Sequence, residues 1–324
     1  MRGGVVGSAT IVVLGLVCQE VGAAVAVTLF PQAGPIGMVL LRLVFSALLL
    51  LAVFRPRVRG RTRADWMTVI GFGLVLATMN ALFYLALERL HLGTTLTIEI
   101  LGPLVLSVIV ARRASAWLWA VLAFAGVAIV GWGGAGDLDP LGVVLAAGAG
   151  TAWAGYILLA ARTGARFGRL DGLAIAMAVG AVAILPFGAA TAGAALLQPW
   201  VLALGLAVAI LSSAIPYGLE LMALRRLPAA AFSILLSLAP ALAAVAGFLI
   251  LGQGLSWADA AGIVLVVVAS MGAVRAAARA EREAHRAPGG HRSGDRSGER
   301  SEDGPAERSQ DGPDDAPLTD ELTP

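Results

Sequence analysis

The chain has 324 residues, of which 58% are hydrophobic and 14% are charged, and its formal net charge at pH 7 is +2. Soluble globular domains contain about 25% charged residues, and the mean hydropathy of +0.85 lies far above their range. This composition excludes an ordinary soluble protein and predicts an integral membrane protein.

Ten apolar stretches follow one another from residue 9 to about 275, with almost no soluble sequence between them. A hydrocarbon core about 30 Å thick requires roughly 20 apolar residues of helix, so each stretch can cross it. The runs are continuous and do not alternate between apolar and polar residues, which predicts helices and not the strands of a closed barrel. The predicted spans are 9–29, 36–54, 66–87, 93–111, 116–133, 140–160, 173–190, 200–221, 228–250 and 257–274.

Arginines mark every second connection between the predicted spans. The intervening connections contain a single arginine, Arg89, which follows Glu88. Because short basic loops stay in the cytoplasm, this alternation predicts a multi-pass membrane protein with both termini cytoplasmic. The basic residues are all arginine, and this, together with abundant Ala, Gly, Val and Leu, suggests a GC-rich bacterial genome and hence the bacterial inner membrane. The basic loops thus report orientation in the lipid bilayer and do not indicate a nucleic-acid partner. Their arginines are Arg55, Arg57, Arg59, Arg61 and Arg63, then Arg112 and Arg113, then Arg162, Arg166 and Arg169, then Arg225 and Arg226.

An internal repeat divides the apolar region. Residues 86–90 read Ala-Leu-Glu-Arg-Leu, residues 223–227 read Ala-Leu-Arg-Arg-Leu, and the same offset of 137 places Pro103 on Pro240. Five helices per copy is an odd number, so the two copies must cross the membrane in opposite directions. Inverted repeats are typical of secondary transporters, whose substrate sites lie near the bilayer midplane. The predicted fold is therefore all-α, with ten transmembrane helices in two inverted five-helix repeats over 1–134 and 135–275.

The sequence beyond residue 275 has a different composition. Residues 276–324 are rich in Arg, Glu, Asp, Gly, Ser and Pro and offer no apolar face to bury. Such a composition predicts a disordered cytoplasmic tail. The segment 275–286 can extend the tenth helix along the anionic lipid surface.

Charged residues inside the spans are few, and each costs about 2.5–3.5 kcal/mol at the bilayer centre on insertion scales. Glu20 lies about ten residues from the outer end of its span, about 15 Å deep and near the midplane. Arg42 and Glu99 each lie about 9 Å deep, so they can form a pair that serves either structure or substrate binding. Glu220 lies near the inner end of the eighth span, where it can serve transport or pair with the neighbouring arginines. Burial favours the protonated form of a carboxyl group, which suits a proton carrier.

Other polar and aromatic residues lie at similar depths. Asn80 and Tyr84 are one helical turn apart on the third span and share a face. Trp153 lies on the sixth span and Tyr217 on the eighth. Prolines within spans each remove a backbone hydrogen bond. The freed carbonyls can bind a substrate ammonium, or the prolines can contribute to helix packing alone. The prolines within the spans are Pro103, Pro186, Pro216 and Pro240.

The sequence contains no pattern for catalysis, for a metal or for a cofactor. It has no phosphate-binding loop, and outside the tail its single histidine is His91, in a predicted outer turn. A lone cysteine, Cys18, excludes an intramolecular disulfide. These features indicate that the protein is not an enzyme.

Four long segments carry a family resemblance: 41–57, 79–104, 145–159 and 204–247. Through them the chain resembles the ten-helix drug/metabolite transporter superfamily with two EamA repeats, and most closely the bacterial threonine/homoserine exporter family. The resemblance implies export of small amino acids driven by the proton gradient, so the expected partners are a small amino acid, protons and the lipid bilayer. A related exporter of another small metabolite or toxic compound is the alternative.

The resemblance also points to individual positions. Ala239 and Gln253 stand where the exporter pattern has glutamates, and Glu20 stands where it has an amide. This redistribution of carboxylates leaves the exact substrate and the coupling group open. The positions that match the exporter pattern are Arg42, Asn80, Tyr84, Glu99, Trp153, Pro216, Tyr217 and Glu220.

Overall fold

A computed structural model describes residues 2–111, 114–133, 138–168, 170–216, 219 and 234–286. Throughout these ranges the backbone forms helices and short connections. We number the α-helices α1 (Arg2–Thr28), α2 (Phe30–Phe54), α3 (Arg63–Leu87), α4 (Leu92–Glu99), α5 (Leu101–Ala111), α6 (Ala114–Gly133), α7 (Pro140–Arg166), α8 (Asp171–Ala192), α9 (Pro199–Ala209), α10 (Ala239–Leu251) and α11 (Trp257–Arg286). A 3₁₀ helix (Gly193–Leu197) precedes α9, and a π turn (Ile210–Ala214) follows it.

Eight segments of the described part are long and apolar enough to cross a membrane. They are Ala9–Thr28, Phe30–Phe54, Arg63–Leu87, Leu92–Val110, Pro140–Arg166, Asp171–Leu197, Ile234–Leu251 and Trp257–Ala276. Two shorter apolar helices, Trp117–Val130 and Pro199–Ala214, fall on the fifth and eighth predicted spans. The protein is therefore a multi-pass membrane protein, and full crossing by these two shorter helices stays a prediction.

Large apolar side chains cover the outside of the bundle. Val53, Val182 and Phe187 are 71%, 70% and 63% exposed. A soluble protein rarely exposes so much apolar surface, whereas lipid solvates it. The last helix, α11, continues through 275–286 to Arg286, so this segment extends the tenth span as predicted and is not disordered, while its contact with anionic lipid stays a prediction.

The helices pack through a small number of close contacts. α2 lies against α8, α3 against α7 and α8, and α4 against α7 and α10. α7 lies very close to α4 and α5, where Gly102 faces the backbone of Gly150. A side chain at Gly102 would overlap the backbone of Gly150, and one at Gly150 would overlap the backbone of Glu99, so the two glycines allow this close packing.

Prolines interrupt two of the predicted spans. The fourth span, predicted as continuous over 93–111, is two helices that meet at Ile100. Pro103 explains the break, because it lacks the N–H that would bond to the Glu99 carbonyl one turn earlier. Pro240 has the matching effect in the other half, since α10 begins at Ala239 after a turn at 237–238. Pro186, by contrast, lies inside the continuous helix α8.

Candidate substrate cavity

The centre of the bundle contains a cavity of about 450 Å³. Its volume lies within the range of about 300–1,000 Å³ that is usual for small-molecule sites. Helices α1, α2, α3, α4, α5, α7, α8, α10 and α11 contribute to its wall, together with the π turn and the turn before α10. Five residues that the sequence predicts as site residues line it: Glu20, Arg42, Asn80, Glu99 and Trp153.

Arg42 supplies the positive charge of this cavity. Its guanidinium donates to the Tyr84 hydroxyl at 3.4 Å and to the Ser212 carbonyl at 3.3 Å. The Ser212 carbonyl can accept because Pro216, four residues later, has no N–H to offer it, and because the local π turn disturbs the helical pattern. Tyr84 is fully buried, and its ring centroid is 5.8 Å from the guanidinium carbon, so it lies behind Arg42 and positions it.

Two carboxylates share the cavity wall with Arg42. Glu20 is 2% exposed, and neither of its side-chain oxygens has a hydrogen-bond partner among the described residues. Glu99 is 6% exposed and is the last residue of α4, at the break caused by Pro103. Glu20 and Glu99 each interact electrostatically with Arg42, and Glu99 interacts electrostatically with Glu20 as well. The structure thus brings together the three charged groups that the sequence places at mid-depth.

Neutral polar groups complete the wall. Asn80 is 5% exposed and donates one N–H of its amide to the Leu76 carbonyl at 2.8 Å, so its amide oxygen and its second N–H are the groups it can offer a ligand. Trp153 and Tyr156 line the cavity from α7, and the Tyr156 ring lies 5.1 Å from the ring of Phe72.

Four further polar residues line the cavity that the sequence did not single out: Gln19, Ser107, Ser237 and Ser270. Ser237 could have been found through the internal repeat, because it lies three residues before Pro240, which the offset of 137 aligns with Pro103. Gln19 adjoins Glu20 and carried no separate signal. Serines are common in membrane helices, so Ser107 and Ser270 could not be distinguished from residues that only assist packing.

Two of the remaining predicted site residues, Tyr217 and Glu220, lie outside the described residues. The two positions at which the exporter pattern has glutamates are described. Ala239 begins α10 and lines the cavity. Gln253 is a structural residue, because its side-chain oxygen accepts from the Leu92 N–H at 3.0 Å and so caps the start of α4.

Ion pairs lie at both ends of α7. Before its first turn, Arg89 pairs with Asp139 at 2.8 Å, and Asp139 also accepts from the N–H groups of Leu141 and Gly142. The hydrogen bond from Arg89 is the main reason that the pKa of Asp139 lies below its usual value. In the last turn, Arg166 pairs with Asp65 at 3.0 Å.

A bundle of apolar helices around a small charged cavity is typical of membrane transporters. The sequence profile of the EamA-like transporter family matches residues 140–275. The chain is 40% identical over 253 residues to the threonine/homoserine exporter RhtA of Salmonella typhimurium LT2, with 78% of this chain and 85% of the relative covered. RhtA of Escherichia coli K12 gives the same identity and coverage. The chain therefore belongs to the EamA-like transporter family, in the group that contains the RhtA exporters, and the resemblance found in the sequence is confirmed.

A solved crystal structure shares the fold. It is 18% identical to this chain, with a TM-score of 0.58, and the match covers 85% of this chain and 99% of the other. At this identity the likeness concerns the fold alone.

Proposed function

We propose that this protein exports small zwitterionic amino acids, such as threonine or homoserine, across the bacterial inner membrane in exchange for protons. The observation that carries the proposal is the central cavity in which Arg42 faces Glu20 and Glu99. A free amino acid carries a carboxylate and an ammonium a few ångströms apart, so a cavity with fixed charges of both signs matches it. RhtA, a named threonine/homoserine exporter, is the relative that supports this substrate class.

Arg42 is the group expected to bind the substrate carboxylate. Its guanidinium has a planar array of donors that suits a carboxylate better than a point charge does. The contacts to the Tyr84 hydroxyl and the Ser212 carbonyl orient it before substrate arrives. Such preorganisation reduces the entropy lost on binding.

Glu99 is the group expected to bind the substrate ammonium. It ends α4, where the partial negative charge of the helix C-terminus adds to that of the carboxylate. The N-terminus of α10, at Ala239, reaches the same cavity and adds a partial positive charge for the substrate carboxylate. Broken helices with opposite ends at one site are common in secondary transporters.

The two-repeat architecture is supported by pairs of helices that the sequence offset relates to each other. In the pair α2 and α8, Gly37 contacts Ala192, and Leu40, later in α2, contacts Gly188, earlier in α8. The two helices therefore pack antiparallel. An inverted repeat requires this antiparallel crossing of equivalent helices. The fourth span, which comprises α4 and α5, crosses the ninth span in the same antiparallel order, because Gly93 contacts Ala244 and Gly247 contacts Leu92. α6 and α11 cross in this order too, through the contacts of Gly126 with Val266 and of Gly262 with Val130.

The direction of transport is supported by where the cavity reaches. Ser107 lies one turn before the end of α5, is exposed and lines the cavity. Val274, near the end of the last span, also lines the cavity. The arginine alternation assigns these ends to the cytoplasm. At the opposite end, the Arg89–Asp139 ion pair and the Gln253–Leu92 hydrogen bond join neighbouring segments. An exporter must load its substrate from the cytoplasm, as this arrangement allows.

A second candidate is export of another small metabolite or a toxic compound. Met79, Trp153, Tyr156 and Met177 line the cavity, and these side chains can contact an apolar group larger than that of threonine. Competition by such compounds against labelled threonine distinguishes the two substrates.

The test is accumulation of labelled threonine by inside-out membrane vesicles with an acidic interior. We expect Glu99→Gln to abolish it, and Glu88→Gln, the same chemical change at an exposed site, to leave it intact. If Glu99 and Arg42 serve structure alone, Glu99→Gln should lower abundance by leaving a buried cation without its acid. In that case the joint variant Glu99→Gln, Arg42→Leu would recover both abundance and transport, which contradicts the proposal.

A further inference from the structure

Glu20 is a buried acid that the expected contacts of the substrate do not use. It lines the cavity from α1, is 2% exposed, and both of its side-chain oxygens are enclosed with no hydrogen-bond partner among the described residues. An ionised carboxylate in such a place has lost water without gaining a partner, which is strongly unfavourable. The side chain must therefore bind a cation, either a proton or part of the substrate.

The groups around Glu20 limit how much charge the closed cavity can hold. Arg42 approaches from α2 and Glu99 from the end of α4, and within the described part of the wall Arg42 is the one cation facing these two acids. The other elements contribute neutral groups there, including Asn80 from α3 and Ser212 from the π turn. One guanidinium balances one carboxylate, so the second acid is best neutralised by a proton.

The space around each carboxyl group determines whether it can bind the substrate ammonium or only a proton. The Glu20 oxygens are enclosed, so an ammonium with its attached carbon cannot reach them without displacing neighbouring side chains. A proton needs no such space. Glu99 retains more exposed surface and occupies the break between α4 and α5, where the cavity provides room for an ammonium.

We propose that Glu20 carries the coupling proton while Glu99 binds the substrate ammonium, an assignment that rests on the proposed function. In the empty cavity Glu20 holds the proton and Glu99 is balanced by Arg42. The substrate binds with its carboxylate at Arg42 and its ammonium at Glu99. Water that enters while the cavity is open to the cytoplasm accepts the proton of Glu20, whose O–H bond breaks. After the substrate leaves on the other side, Glu20 takes a proton from that side.

This assignment has an electrical consequence. Each cycle moves one zwitterion, which has no net charge, outward and one proton inward. Transport is therefore driven by the membrane potential as well as by the pH gradient. A chain that lacks the carrier carboxyl but still binds substrate loses both driving forces and equilibrates the amino acid passively.

The experiment uses proteoliposomes containing the full chain and labelled threonine. Counterflow without any gradient requires binding and translocation but no net proton movement, whereas accumulation against a gradient requires coupling. For one proton per substrate, a pH gradient of about one unit supports at most about tenfold accumulation. We expect Glu20→Gln to retain counterflow and lose accumulation, Glu99→Gln to lose both, and the control Glu88→Gln to retain both.

Glu20→Gln mimics the protonated acid, so it should fold with unchanged thermal stability, and Glu20→Asp should recover part of the accumulation. Continued accumulation by Glu20→Gln would overturn the assignment. Loss of counterflow in folded Glu20→Gln would also overturn it, because Glu20 would then be a substrate ligand. Absence of counterflow in the unmodified chain, for threonine and homoserine alike, would instead contradict the proposed function.

Discussion

The contact between Gly150 and the break in the fourth span offers a sharp test of the cavity wall. A methyl group at Gly150 would overlap the main chain of Glu99, including its carbonyl oxygen. No side-chain rotation can relieve this overlap, so α4 and α5 would have to move away from α7. Because Glu99 and Trp153 both belong to this part of the wall, the substitution Gly150→Ala should disturb stability and transport together.

A matched substitution at Gly155 separates the destabilisation caused by the clash from the general effect of replacing glycine with alanine in a helix. Gly155 lies on the same helix, and a methyl group there would meet only a Val75 methyl carbon at 3.5 Å, an ordinary contact. Both substitutions gain about 0.5–1 kcal/mol from the higher helix propensity of alanine. Overpacking costs about 1–3 kcal/mol, and a clash with main chain belongs in the upper part of that range. We therefore expect Gly150→Ala to be less stable than Gly155→Ala by about 2–3 kcal/mol.

Thermal unfolding in detergent measures this difference, with vesicle uptake of threonine as the second readout. Gly155→Ala should transport like the unmodified chain and be more stable by up to about 0.5–1 kcal/mol, while Gly150→Ala should unfold earlier and transport more slowly. Equal stability of the two variants would refute the close approach of these helices.

Three further predictions concern charge. Asp139→Asn keeps the cap of α7 but removes the Arg89 ion pair, so it should lower thermal stability at neutral pH. Because Arg89 lowers the pKa of Asp139, the difference in thermal stability between the unmodified chain and this variant should decrease as the pH falls through that lowered pKa. Arg42→Lys keeps the charge but loses the planar donor array, and we expect threonine affinity to fall about tenfold, or about 1.4 kcal/mol, at unchanged abundance. Reporter fusions after residues 60, 113, 165, 226 and 290 should all be cytoplasmic, and one periplasmic result would contradict the topology.

The sequence predicted the features that the bilayer makes obligatory. Apolar runs of sufficient length have few alternatives to a transmembrane helix, so eight of the ten predicted spans coincide with helices that are long enough to cross the membrane. A charge in lipid must face the protein interior, and for that reason the sequence could pair Arg42 with Glu99 and place Glu20 inside the protein. That Glu20 lines the same cavity as this pair comes from the structure. The confirmed family agrees with the resemblance found in long segments such as 204–247.

Features made by the main chain escaped prediction. The acceptor for Arg42 is the carbonyl of Ser212, and a carbonyl group is common to every residue. Its availability depends on Pro216 and on the π turn, of which only the proline is visible in the sequence. Tyr84 shares a helix face with Asn80, yet its full burial behind Arg42 depends on contacts from other helices that spacing alone does not reveal.

The most direct test of the central claim is the proton movement that accompanies amino-acid transport. Proteoliposomes containing the full chain and an entrapped pH indicator would receive threonine from outside, with no gradient imposed. Exchange predicts that the interior becomes more alkaline as threonine enters and protons leave, and that Glu99→Gln abolishes the change. Threonine entry without a pH change, or with acidification of the interior, would contradict proton-coupled exchange.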